Sequence, residues 1–132
     1  MLGKLFRKKK DQSNVPKEGG QERTFILKTY HKKYTGKEVT ALLLEEIINS
    51  DIDTWEFMVL IPSKPIKGSD FMQTDCACFP HFLEVSFGSK QYQLETTDKN
   101  IILQHLTAYL QEEKIPDTFL WKDISDRVSN PN

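Results

Sequence analysis

Cys76, Cys78 and His81 form the densest set of reactive side chains in the sequence. Thiolates and imidazoles together suit zinc, and a thiol held against a base can act as a nucleophile. The spacing argues against both. A structural zinc site takes four ligands, and its paired cysteines usually stand two or more residues apart. Here one alanine separates them, and His31 and His105 are remote in sequence. On a strand the two cysteines would share a side, with Cα atoms roughly 6.5 to 7 Å apart, which is poor disulfide geometry. No local signature of a cysteine protease surrounds either thiol. The segment therefore reads as two thiols on a strand or loop. Cys76, Cys78 and His81 remain the candidates for metal binding or thiol chemistry, and no catalytic residue or cofactor is assigned.

Other chemistry is harder to find. Gly19-Gly20 does not follow a strand, and Gly68-Ser69 lacks the lysine of a phosphate-binding loop. The carboxylates are more informative. Glu56, Glu84 and Glu95 sit in strand-like runs, and Asp70 closes the loop before Phe71. On a sheet face left bare by helices, these four would make a negative surface able to dock a basic protein. The competing reading is ordinary solubilising charge.

The elements that would position these groups belong to a chain of 132 residues, enough for one domain. With 38% hydrophobic residues a core is within reach, and a net charge of −1 excludes polyelectrolyte behaviour. No specific nucleic-acid partner is expected, and two cysteines suit a reducing compartment. The balance hides an asymmetry. Lys4, Arg7, Lys8, Lys9 and Lys10 are five positive charges with no acid among them, leaving 13 basic and 19 acidic groups elsewhere, a net of −6. The charges follow the leader's few apolar residues, the reverse of a secretory signal, and Gly3 stands where myristoylation would need glycine at position 2. Residues 1–21 read as a disordered basic leader able to touch an anionic membrane weakly. A single domain is expected over 22–128, with a flexible end at 129–132.

Within that domain, Arg23 to Lys28 reads as a first strand. Thr35 with Glu38 matches a capping box and predicts a helix running to Asn49, with Val39, Leu42, Leu43 and Ile47 as its stripe, widened by Leu44 and Ile48. From Trp55 to Ile61, strict alternation puts Trp55, Phe57, Val59 and Ile61 on one face and Glu56, Met58 and Leu60 on the other. Phe71 to Thr74 is a further strand. A two-residue Gly88-Ser89 turn sets Phe87 against Lys90, Val85 against Tyr92 and Leu83 against Leu94, so that apolar residues meet apolar ones except at the turn. Thr97-Asp98 caps a second helix buried through Ile102, Leu103, Leu106, Tyr109 and Leu110, ending near Lys114. Phe119, Trp121 and Ile124 then close over the core. The expected fold is α+β, a mainly antiparallel sheet of four to five strands with two helices on one face.

Three stretches carry a resemblance: Asp53-Thr-Trp-Glu-Phe-Met-Val-Leu-Ile-Pro-Ser-Lys-Pro-Ile66 with Gly68-Ser-Asp-Phe-Met-Gln73, then Tyr92 through Thr97 to Gln111-Glu-Glu-Lys-Ile-Pro-Asp117, then Trp121-Lys-Asp-Ile-Ser125. Over roughly residues 50–125 the chain resembles small bacterial immunity proteins of polymorphic-toxin systems. The resemblance implies a cytoplasmic, non-enzymatic protein that binds a toxin and blocks it. The expected function is a protein-binding module, most concretely such an immunity protein, that meets a basic toxin domain through Glu56, Asp70, Glu84 and Glu95. The rival readings are a small metal- or thiol-dependent enzyme and a peripheral membrane adaptor docked by the leader.

Overall fold

The computed structural model describes residues 23–129. The leader expected over 1–21, with Lys4, Arg7, Lys8, Lys9 and Lys10, lies outside the described residues, as do residues 130–132. The chain runs β1 (Phe25–Thr29), β2 (Lys33–Thr35), α1 (Ala41–Ile48), β3 (Phe57–Pro62), β4 (Phe71–Asp75), β5 (His81–Phe87), β6 (Lys90–Thr96), α2 (Lys99–Glu112), β7 (Lys122–Asp123) and α3 (Ser125–Ser129). The strands form one sheet in the order β2-β1-β3-β4-β5-β6-β7, with every neighbouring pair antiparallel. The architecture is α+β, as expected, with seven strands rather than four to five. The additional two, β2 and β7, are only three and two residues long and carry no apolar alternation.

One face of the sheet is covered. Leu27, Met58, Leu60, Met72, Leu83 and Val85 pack into a single core with Leu44 and Ile48 of α1 and Ile102, Leu106 and Tyr109 of α2. Each fully buried side chain of this size stabilises the fold by about 1.5 to 3 kcal/mol. A buried hydrogen bond of 2.8 Å between Ser69 and the Tyr109 hydroxyl ties the β3–β4 loop to α2. Burial pushes the Tyr109 phenol up to about 12, against the opposing effect of that bond.

The capping box at Thr35 does form, with the Thr35 amide donating to Glu38 Oε1 at 2.9 Å. It starts only a 3-10 turn, Gly36–Glu38, after which Val39 turns extended. The helix itself begins one turn later, where Thr40 Oγ1 accepts from the Leu43 amide at 3.1 Å. That shift in phase leaves Leu42 62% exposed while Leu44, Ile47 and Ile48 are buried.

A second correction concerns β3. Glu56 adopts a left-handed backbone, φ 56°, and this resets the alternation between Trp55 and Phe57. Trp55 is buried ahead of the strand, but Phe57, Val59 and Ile61 turn away from the helices and are only half-buried. Met58 and Leu60 face the core instead, because the register sets Leu60 beside Leu27 of β1 and Met72 of β4. Glu56 is therefore not a strand residue.

The hairpin of β5 and β6 has the expected register: Phe87 opposite Lys90, Val85 opposite Tyr92 and Leu83 opposite Leu94. Gly88 at φ 69° supplies the turn's positive dihedral without a Cβ penalty.

Candidate functional site

No described helix covers the second face of the sheet in the way that α1 and α2 cover the first, and alternation fixes what it presents. Following the register across the strands gives one continuous row: Lys33, Lys28, Val59, Gln73, Glu84, Gln93, Lys122. A second row runs Phe57, Asp75, Phe82, Glu95. Tyr30, 57% exposed, stands edge-on to Phe57 with ring centroids 6.2 Å apart. The half-buried Ile26, Ile61 and Phe71 complete an apolar centre. This is the same sheet side as Glu84 and Glu95, and it is more apolar and less uniformly acidic than expected. Cations stand at the β1–β2 end and again, as Lys122 and Arg127, beyond β6, with carboxylates over β4 to β6 between them.

Glu84 is the organised group of this face. Its Oε1 accepts hydrogen bonds from Gln73 Nε2 at 2.7 Å and Gln91 Nε2 at 2.9 Å, and its Oε2 accepts from Gln93 Nε2 at 2.7 Å. The three donors come from the two strands flanking Glu84 on β5: Gln73 from β4, and Gln91 and Gln93 from β6. Neutral amides fix the carboxylate in place without cancelling its charge, so a negative group is held at a half-buried position of this face. Glu84 and Glu95 line one groove of about 480 Å³ together with Asp75, Phe82, Lys122 and Arg127. A second hollow, of about 250 Å³, adjoins it through Glu84 and Asp75 and is walled by Phe57, Val59 and Gln73.

The expected docking carboxylates are thus only partly brought together. Glu84 and Glu95 share the groove. Asp70 instead accepts from the Gly88 amide at 3.2 Å and steadies the β5–β6 turn. Glu56 precedes β3, its carbonyl accepting from the Cys76 amide at 3.1 Å. The glutamines escaped sequence reasoning because they carry no charge. The signal was present in part, since the hairpin register that pairs Val85 with Tyr92 also sets Glu84 opposite Gln93.

The Cys76 to His81 segment begins just past the end of β4, so strand geometry does not govern it. Cys76 is buried with its thiol 3.5 Å from Thr74 Oγ1, and burial pushes that thiol's pKa up. Cys78 is exposed and reaches the groove wall. His81 Nδ1 donates to the Cys78 carbonyl at 2.8 Å. Among the described residues no three His, Cys, Asp or Glu side chains are grouped to hold a metal ion. The two thiols should therefore differ sharply in reactivity. In native buffer one equivalent of a thiol reagent should be consumed quickly, and Cys78→Ser should abolish that phase. Cys76 should react only as the protein unfolds; two fast equivalents would contradict its burial.

His105 lies on α2, edge-on to Trp121 at 5.5 Å between centroids. Burial, with Lys114 nearby, lowers its pKa and keeps it a boundary residue. Among the described residues no helix is long and apolar enough to cross a membrane. A scan against known protein families and comparisons with curated proteins and with solved structures find no match to this chain.

Proposed function

We propose that the chain is a non-enzymatic protein-binding module that captures a protein partner on its uncovered sheet face. Its most concrete form is an immunity-type inhibitor that covers a basic toxin domain. The observation that carries this reading is the immobilised Glu84 carboxylate beside a half-buried apolar patch. A fixed charge next to aromatic and aliphatic surface is the composition of an interface centre, where orientation comes from the charge and binding energy from the apolar groups. Phe57, Val59 and Ile61 supply the apolar part, and Glu84, Glu95 and Asp75 supply the negative part. Blocking would be steric, with no group on this chain reacting.

A growth assay tests the proposal. A toxin domain encoded beside this chain's gene is expected; expressed alone it should arrest cells, and co-expression of this chain should restore growth. Phe57→Asp, which places a charge in the half-buried patch without touching the helix-covered core, should remove the rescue at unchanged protein level. Rescue undiminished by Phe57→Asp would overturn the assignment of this face.

A further inference from the structure

We infer that the uncovered face also pairs with a second copy of this chain, through a two-fold axis running along the strands between β3 and β4. The inference rests on the reading of this face as a docking surface, and it commits that surface to self-association when no other protein occupies it.

The charge order on the central row carries the argument. Lys28 on β1 and Glu84 on β5 stand on either side of the β3–β4 boundary, one and a half strand spacings from it. At ~4.8 Å per strand each lies about 7 Å from that line. When two such faces are stacked about an axis parallel to the strands, β1 of one copy lies over β5 of the other, and β3 over β4. Lys28 then meets the second copy's Glu84, twice by symmetry. The same operation stacks Ile61 over Phe71 and Tyr30 over Phe82, while Phe57 meets Asp75 and Val59 meets Gln73, so the charge pairs rather than the apolar groups fix the register. A two-fold axis across the strands would instead set Lys28 on Lys28 and Glu84 on Glu84. The face's own polarity selects between the two.

The geometry of packed sheets is compatible. Aligned sheets cross at about 30°, which displaces groups 7 Å from the axis by roughly 3 to 4 Å, within reach of a lysine's flexible four-carbon stem. The six strands from β2 to β6, which the axis exchanges in three pairs, by three side-chain rows give a footprint of roughly 600 Å² per copy. The total is then about 1,200 Å², at the lower end for a specific interface, so association is weak and concentration-dependent. It is also weak enough for another protein to displace the second copy.

Sedimentation of the full chain over a concentration series tests this. The weight-average mass should rise from monomer toward dimer. Lys28→Glu or Glu84→Lys alone should raise the midpoint concentration at least about tenfold, with folding checked by circular dichroism. Mixing these two variants should restore association, because in the mixed pair one reversed position faces the other and the remaining pair is native. The control mixes Lys28→Glu with the double variant Lys28→Glu/Gln73→Ala, which leaves acid facing acid in both pairs and should not rescue. A monomer at every concentration, or a mixture of the single variants no stronger than either alone, overturns the dimer. If partner rescue still depends on Phe57 in that case, the docking face stands and only self-pairing is lost; if neither depends on this face, both readings fall.

Discussion

Leu60→Ala should destabilise the domain by about 2 to 5 kcal/mol, whereas Val59→Ala, its immediate neighbour, should cost about 1 kcal/mol or less. Leu60 has no exposed surface and sits between Leu27 and Met72 under the helices. Deleting its isopropyl group removes contacts that the packed core cannot fully rebuild. Val59 lies on the opposite face, half-buried among side chains open to solvent. Domains of this size are held by roughly 5 to 15 kcal/mol, so the first substitution takes a large share of the total. Urea unfolding followed by far-ultraviolet circular dichroism measures both. Reversed magnitudes would mean that the faces of β3 have been assigned the wrong way round.

Trp55 gives the second large effect and a sharper contrast. It is 2% exposed, yet among the described residues its indole Nε1 has no hydrogen-bond partner. Trp55→Ala should cost about 3 to 5 kcal/mol through the cavity it opens. Trp55→Phe loses volume too, but it also removes a buried donor whose desolvation costs about 1 to 3 kcal/mol. The two terms offset, so Trp55→Phe should change stability by about 1 kcal/mol or less. A loss near that of alanine would show that the indole nitrogen makes a contact that matters. The same denaturation series, using circular dichroism rather than the missing fluorophore, separates the outcomes.

The parts of this fold that were legible in the sequence are those where one periodic signal acts alone. The β5–β6 hairpin was fixed by alternation plus Gly88, and α2 by its stripe and the Asp98 cap, whose Oδ1 accepts from the Asn100 amide at 2.9 Å. Where two local signals compete, sequence pattern misleads. Thr35 and Thr40 both cap, five residues apart, and the first ends in a single turn because Val39 leaves helical backbone. In β3 both faces are apolar, so hydrophobicity could not choose the inner one, and the left-handed Glu56 that reset the phase has no marker such as glycine. Strands β2 and β7 are held by pairing to their neighbours rather than by any pattern of their own. At the site the carboxylates were visible but their support was not. Gln73 comes to Glu84 only through the β4–β5 register, which depends on the length of the intervening loop.

That support is what distinguishes Glu84 from the other acids of the chain. Glu45 and Glu46, on the outer side of α1, are exposed where Glu84 is half-buried; they face away from the open sheet, and among the described residues no glutamine cluster holds them. A partner steered only by the domain's negative charge would respond equally to reversal of either pair. The affinity for the purified toxin domain, measured at low salt, therefore tests the central claim most directly. Glu84→Lys with Glu95→Lys should weaken binding at least about tenfold and flatten its salt dependence, while Glu45→Lys with Glu46→Lys, the same change in net charge, should leave affinity within about twofold. Equal affinities for the two double variants would contradict docking on the sheet face.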